Sequence, residues 1–254
     1  MERNRTDLTG RRALVTGASR GIGKAVALAL ARNGADVIVI AMDLAKLEIT
    51  ANEIRRMGKQ AWSFAVDVSD TAQIEACYRQ HRDVMNEVDI FVNNAAITLF
   101  KGFMDTTEQE FRHLFDTNVV AAMRFVQLSA NAMIANQRQG NVTIITSINA
   151  LRALPSQAAY SATKAMMQSM MVSFANELAP YGIRVNAVLP GATYTDMNTH
   201  FTPEVVQRLN TNIPLGRIGE SEDMADVVAF VVSDMARYMT GASIVVDGGM
   251  IIKR

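Results

Sequence analysis

The chain has 254 residues, 49% of them hydrophobic, and its 25 lysines and arginines balance 25 aspartates and glutamates. That length suits one large α/β domain with a real core. A neutral balance leaves no electrostatic footprint for nucleic acid or an anionic membrane surface, and it favours a protein acting on small molecules.

The first segment, MERNRTDLTGRR, is polar and charged, and is expected to be neither a secretion signal nor an anchor. No apolar run reaches the roughly 18 residues of a membrane span. The single cysteine, Cys77, excludes a disulfide framework within the chain and reads as packing on the helix after Asp70. Together these features predict a cytoplasmic protein. The histidines, His81, His113 and His200, lack metal-ligand spacing, so no metal site is expected.

The strand candidates are ALVT (13–16), VIVIA (37–41), WSFAV (62–66), IFVN (90–93), VTIIT (142–146), RVNAV (184–188) and SIVV (243–246). Helical apolar spacing marks Lys24–Arg32, Leu44–Met57, Phe111–Met133, Met166–Leu178 and Met224–Val232. Near-continuous apolar strands alternating with helices predict a doubly wound, seven-stranded parallel sheet covered on both faces. No linker or internal repeat interrupts the chain, so residues 1–254 read as a single domain. Pro190–Pro214 lacks a clear pattern and has the position expected of a substrate lid.

Between the first strand and its helix runs TGASRGIGKAVALAL. Gly17, Gly21 and Gly23 would permit a tight turn and let backbone N–H groups approach a pyrophosphate. Asp67, which ends the third strand, could accept a bond from an adenine amino group. The small residues in Asn93–Ala96, after the fourth, leave room for a ribose. Asp43, in VIVIAMDL, is a lone acid near the end of the second strand, where a ribose-binding acid is often found.

Ser147 follows the fifth strand, and Tyr160 and Lys164 are four residues apart on one helical face. A free tyrosine is a poor base near neutrality; a cation one turn away favours its phenolate. Tyr160 could then exchange a proton with an alcohol or carbonyl oxygen while Ser147 donates a hydrogen bond to it. Asn118 could hold a water near the lysine. Alone, Tyr160 and Lys164 would read as an ordinary surface pair; their combination with the glycine turn argues for chemistry.

TGASRGIG (16–23), DVSD (67–70), NNAA (93–96), Asn118, Ser147, YSATK (160–164), PGATYTDM (190–197) and VDGG (246–249) occur in this order. The set resembles the classical short-chain dehydrogenase/reductase family over essentially the whole chain. The resemblance implies a single-domain Rossmann fold and a catalytic tetrad of Asn118, Ser147, Tyr160 and Lys164, with Tyr160 as acid/base. It implies cofactor contacts from Gly17, Ser19, Arg20, Gly21, Ile22, Gly23, Asp67, Val68, Asn94, Ala95, Tyr160, Lys164, Pro190, Gly191, Thr193 and Thr195. It also implies hydride transfer between a nicotinamide cofactor and a small carbonyl or secondary alcohol, of the 3-oxoacyl or the sugar and polyol kind. Family members commonly form tetramers or dimers, and AMMQSMMVSFANEL is apolar over more than one face, as either a subunit contact or a core helix would be. Two positions depart from the family pattern: Ala96 replaces the usual glycine, and Thr193 stands for a β-branched hydrophobe.

The position of the ribose acid in NAD-preferring members, about 18 residues beyond the last glycine, falls here on Ala41. Asp43 lies two residues further on and is better explained as a helix N-cap. With no acid at Ala41 and a basic Arg20 inside the glycine turn, NADP(H) is expected over NAD(H), although Met42 stands where a second arginine is common. Arg152, the only charge in INALRALPSQ, reads more readily as a solvated loop residue than as a substrate ligand. The alternative to an enzyme is a catalytically inactive cofactor-binding sensor or scaffold of the same fold, but such proteins usually lose the tyrosine or lysine kept here.

Overall fold

A computed structural model of the chain describes residues 5–195 and 201–253. Its strands are β1 (Arg12–Thr16), β2 (Asp36–Ala41), β3 (Ala61–Ala65), β4 (Ile90–Asn93), β5 (Gly140–Ile145), β6 (Ile183–Pro190) and β7 (Ser243–Val246). They form one parallel sheet in the order β3-β2-β1-β4-β5-β6-β7. The order reverses between β1 and β4, which opens a crevice at their C-terminal ends. The helices are α1 (Gly21–Arg32), α2 (Leu44–Arg56), α3 (Thr71–Gln80), α4 (Arg82–Met85), α5 (Glu108–Phe115), α6 (Ala121–Ala135), α7 (Ala158–Leu178), α8 (Pro203–Asn212) and α9 (Ser221–Val232).

The central strands β1, β2 and β4 are almost wholly apolar because both their faces are buried, whereas the edge strands β3 and β7 are only partly buried. Leu14 pairs with Ile38 and Phe91, and these residues feed the core layer under α3, α6 and α7. Their neighbours Val15, Val39 and Val92 feed the opposite layer, under α1, α2 and α9. Phe91 is fully buried and stacks on Phe125 of α6, so truncation to alanine would cost about 3–5 kcal/mol. At the far end of the sheet, buried Asp89 accepts hydrogen bonds from the Arg12 N–H (2.8 Å) and from Arg138 (3.0 Å), bracing β1 against β4.

Two sequence expectations change. The stretch 190–214 is not irregular throughout, because α8 lies within it. Pro203 sits in the first turn, where its missing N–H costs nothing, and the Thr202 hydroxyl accepts from the Val205 N–H. The helical run expected over Phe111–Met133 is broken in phase: a π turn at Asp116–Val120 separates α5 from α6. Cys77 is buried on α3, as expected, and burial pushes its thiol up to about 11. His81 stacks on Phe64, His113 is exposed on α5, and His200 lies outside the described residues.

Candidate active site

Each glycine of the first turn has its own physical reason. Gly17 (φ +66°) and Gly21 (φ +53°) occupy left-handed conformations that a side chain would strain. At Gly23 the constraint is space: a Cβ there would lie 2.3 Å from the Gly17 carbonyl oxygen and 2.4 Å from Asn94 Nδ2. The turn is thus a glycine-lined cradle at the head of α1, suited to a pyrophosphate on its N–H groups. Thr195 closes on it, since a Cβ on Gly21 would touch its side chain at 3.4 Å.

Asn94 and Ala95, expected to contact cofactor, also hold this cradle together. The Asn94 amide donates to the carbonyls of Thr16 (3.0 Å) and Gly17 (3.3 Å). The Thr16 hydroxyl accepts from the N–H groups of Asn94 (3.0 Å) and Ala95 (3.1 Å). The crevice walls at β1 and β4 are therefore bonded to each other. Thr16 escaped the sequence reading because its partners lie 78 and 79 residues away.

Arg20 is exposed at the start of α1, with Ser19 before it and Ile22 behind it against the core. Asp43 is the N-cap of α2: its carboxylate accepts from the Lys46 N–H at 3.1 Å. The last residue of β2 is Ala41, and Met42 beside it is 70% exposed. Asp67 stands two residues past the end of β3 rather than at it. The Ser69 hydroxyl (2.7 Å) and N–H (2.9 Å) bind its carboxylate and hold its pKa below the ordinary value. Val68 packs against the core. Pro190 ends β6, and Gly191 passes so close to Asp247 that a Cβ would lie 2.6 Å from that residue's Cβ. Thr193 is buried and bridges to Gly219, its hydroxyl donating to the Gly191 carbonyl at 3.1 Å.

Beyond β5 the reactive groups converge. Ser147 caps a single 3-10 turn, Ile148–Ala150, and stands close enough to the phenol of Tyr160 to pull its pKa down. Lys164, one helical turn after Tyr160 on α7, is 5% exposed; its ammonium lies 5.6 Å from the Tyr160 ring centre and donates to the Ile145 carbonyl at 3.1 Å. Burial pushes the Tyr160 phenol up to about 12, against the pull of the Ser147 hydroxyl. Burial brings the Lys164 ammonium down to about 8. This corrects the expectation that the nearby cation would leave Tyr160 below its free value. Desolvation of the phenolate outweighs the ammonium, which is directed at a strand carbonyl.

Asn118 is fixed by protein partners through its side chain. It sits in the π turn, accepts from the Ile97 N–H (2.9 Å), and donates to the Ile97 carbonyl (2.9 Å) and the Thr163 hydroxyl (3.1 Å). Thr163 donates in turn to the Tyr160 carbonyl at 2.7 Å. Asn118 is thereby tied to the tyrosine's own backbone through a residue that sequence reasoning missed. The signal for Thr163 lay inside YSATK, as a small hydroxyl between the tyrosine and the lysine. Arg152 is exposed on the loop before α7. Among the described residues, no group of three or more His, Cys, Asp or Glu side chains could hold a metal, and no helix is long and apolar enough to cross a membrane.

A doubly wound sheet with a glycine-rich turn beside a Ser–Tyr–Lys cluster defines a nucleotide-dependent α/β oxidoreductase. The family model described as enoyl-(acyl carrier protein) reductase matches residues 17–251. The chain is 39% identical over 245 residues to an L-rhamnose 1-dehydrogenase (NAD(P)(+)) of Azotobacter vinelandii, covering 94% of this chain and 96% of that one. It is 39% identical over 239 residues to a 3-oxoacyl-(acyl-carrier-protein) reductase FabG of Staphylococcus aureus, covering 94% and 97%. A solved structure from Agrobacterium tumefaciens, provisionally named a 2-deoxy-D-gluconate 3-dehydrogenase and holding NADP, superposes with a TM-score of 0.91 at 31% identity, covering 98% and 100%. The chain belongs to the short-chain dehydrogenase/reductase family and is an NAD(P)-dependent oxidoreductase.

Proposed function

We propose that the protein transfers a hydride between NADP(H) and a small carbonyl or secondary alcohol, of the 3-oxoacyl or the sugar and polyol kind, with Tyr160 as acid/base. The observation that carries this reading is the convergence of Ser147, Tyr160 and Lys164 at the C-terminal end of β5, next to the glycine cradle. The turn suits a dinucleotide: Gly17 and Gly23 let the backbone pack onto Asn94 and Ala95, where a Cβ would clash, at the head of α1. When bound, the nicotinamide supplies or accepts the hydride.

The protein's own residues do the rest. Tyr160 gives its phenolic proton to the developing alkoxide in reduction, or takes the alcohol's proton in oxidation. Ser147 donates to the same substrate oxygen and steadies its charge. Lys164, with a pKa near 8, is mostly ammonium at neutral pH; it holds the nicotinamide ribose and favours the phenolate once site charges rearrange. Asn118 braces the tyrosine's turn of α7 through Thr163 and completes a proton relay to solvent.

In this reading residues 1–254 form one dinucleotide-binding and catalytic domain, with 190–214 as the substrate lid. The remaining expected contacts, from Ser19, Arg20, Ile22, Asp67, Val68, Pro190, Gly191, Thr193 and Thr195, line the cofactor's path. Exposed Arg20 and the absence of an acid at Ala41 support NADP(H) over NAD(H). Met167, Met171 and Ala175 of α7 enter the core while Met166 and Val172 remain 42% and 46% exposed. That second apolar face supports a homo-oligomer, a dimer or tetramer. The test is turnover of NADPH with a panel of 3-oxoacyl thioesters and sugar or polyol carbonyls, followed by nicotinamide absorbance. Tyr160→Phe should lower the rate by about 10²–10⁴-fold with cofactor affinity kept. A variant turning over within a few-fold of wild type would overturn the reading.

A further inference from the structure

The loop between β5 and α7 carries Ser147 at its start and Tyr160 just past its end. It is mostly exposed: Leu151 is 53% accessible, and residues 152, 153, 155 and 156 are exposed as well. Ser156 adopts a left-handed conformation (φ +60°), which is uncommon for a residue with a side chain. A segment of this kind is a poor ruler for a distance that must be correct to a fraction of an ångström.

Thr146, Ile148, Asn149 and Gln157 are the buried exceptions. Asn149 and Gln157 are only 6% and 9% exposed, and the Asn149 Nδ2 donates to Gln157 Oε1. Each is bonded onward to one half of the reactive pair. The Asn149 main-chain N–H donates to Ser147 Oγ at 3.1 Å. Gln157 is the N-cap residue of α7, and its carbonyl accepts from the Ser161 N–H at 2.8 Å, within the turn that carries Tyr160. The amide pair thus short-circuits the exposed part of the loop. A donor pointed at Ser147 Oγ also occupies one of its lone pairs and so steers the hydroxyl proton towards the reacting side.

We infer that Asn149 and Gln157 are a pair of positioning residues that set the Ser147–Tyr160 geometry by welding the two ends of the β5–α7 loop together. The inference rests on the reading of Tyr160 as acid/base. A buried amide pair serves this purpose better than an apolar contact, because a hydrogen bond has a direction and an apolar contact does not.

The test uses the full-length protein and three single variants. Gln157→Leu removes the acceptor at similar size. It should lower kcat by about 10–100-fold while leaving KM for the cofactor within about twofold. Gln157→Glu keeps an acceptor for the Asn149 amide and should recover most of that loss. A crystal structure of Gln157→Leu should show Ser147 Oγ turned away from Tyr160, a readout independent of turnover. Unchanged kcat in Gln157→Leu, no recovery in Gln157→Glu, or a Ser147 left in place would each overturn the inference. Tyr160→Phe, run beside them, separates the two ideas: an active Tyr160→Phe discards the acid/base reading, whereas an inactive one with unaffected Gln157 variants discards only the positioning role.

Discussion

Gly23→Ala puts the proposed nucleotide cradle to a quantitative test. Gly23 lies in the first turn of α1 without a left-handed φ, so by helix propensity alone alanine should stabilise the protein by about 1 kcal/mol. Packing predicts the reverse. The new Cβ would stand 2.3 Å from the Gly17 carbonyl oxygen and 2.8 Å from its carbonyl carbon, both backbone atoms, and 2.4 Å from Asn94 Nδ2. Opening the turn enough to admit it should cost about 2–3 kcal/mol, as overpacking generally does. Displacing the Asn94 amide should forfeit at least one of its two bonds to β1 and the turn, about 1 kcal/mol more. The net expectation is a loss of about 2–3 kcal/mol in urea unfolding and at least a tenfold loss of NADPH affinity by fluorescence titration. Gly58→Ala is the control: unlike Gly23 it has a left-handed φ, +78°, but nothing lies within 4 Å of the added atom. It should cost only about 1 kcal/mol and leave cofactor affinity unchanged. A Gly23→Ala protein as stable as wild type, with affinity intact, would refute the account of the cradle.

Lys164→Met should abolish turnover and yet, without nucleotide, stabilise the fold at neutral pH by about 1–2 kcal/mol, measured by urea unfolding. The sign follows from burial: the ammonium titrates near 8 in the folded protein and near 10.4 unfolded, so the unfolded chain binds the proton more tightly. For the same reason this group makes wild-type stability rise as pH climbs from about 8 towards 10.4, and the variant should lack that rise. Ala41→Asp should turn the preference from NADP⁺ towards NAD⁺ by at least about tenfold in kcat/KM, because a carboxylate would face the 2′-phosphate. Asp43→Ala removes only a helix cap, so it should lower the melting temperature modestly and leave that preference alone.

Strand positions were readable because β-branched runs buried on both faces look the same to either core layer, as Leu14 and Val15 show. Asp43 was readable as a cap because a register could be counted from Gly23. The Ser147–Tyr160–Lys164 cluster came from motif order rather than from any single spacing. What stayed hidden depends on contacts distant in sequence. The Thr16–Asn94 bonds join residues 78 positions apart, and the Asn118–Thr163 bond spans 45. Burial reversed the expected shift of Tyr160, and no spacing rule reports burial. The π turn was hidden for a different reason: FDTNVV keeps helical periodicity on both sides, so the break is one of phase and not of composition.

That change of phase bears on what the helix tolerates. Each residue of an α-helix advances the face by about 100°. The π turn at Asp116–Val120 therefore acts as a one-residue gear tooth: α5 and α6 are each aimed by the extra residue between them. Removing one residue from Asp116–Val120 would give a more regular helix and a worse protein. Either Leu114 or the row Ala122, Phe125 and Val126 would rotate out of the core, and Asn118 would leave Ile97 and Thr163. Length in this segment is as constrained as residue identity, so single-residue deletions here should be tolerated less well than most substitutions at the same positions.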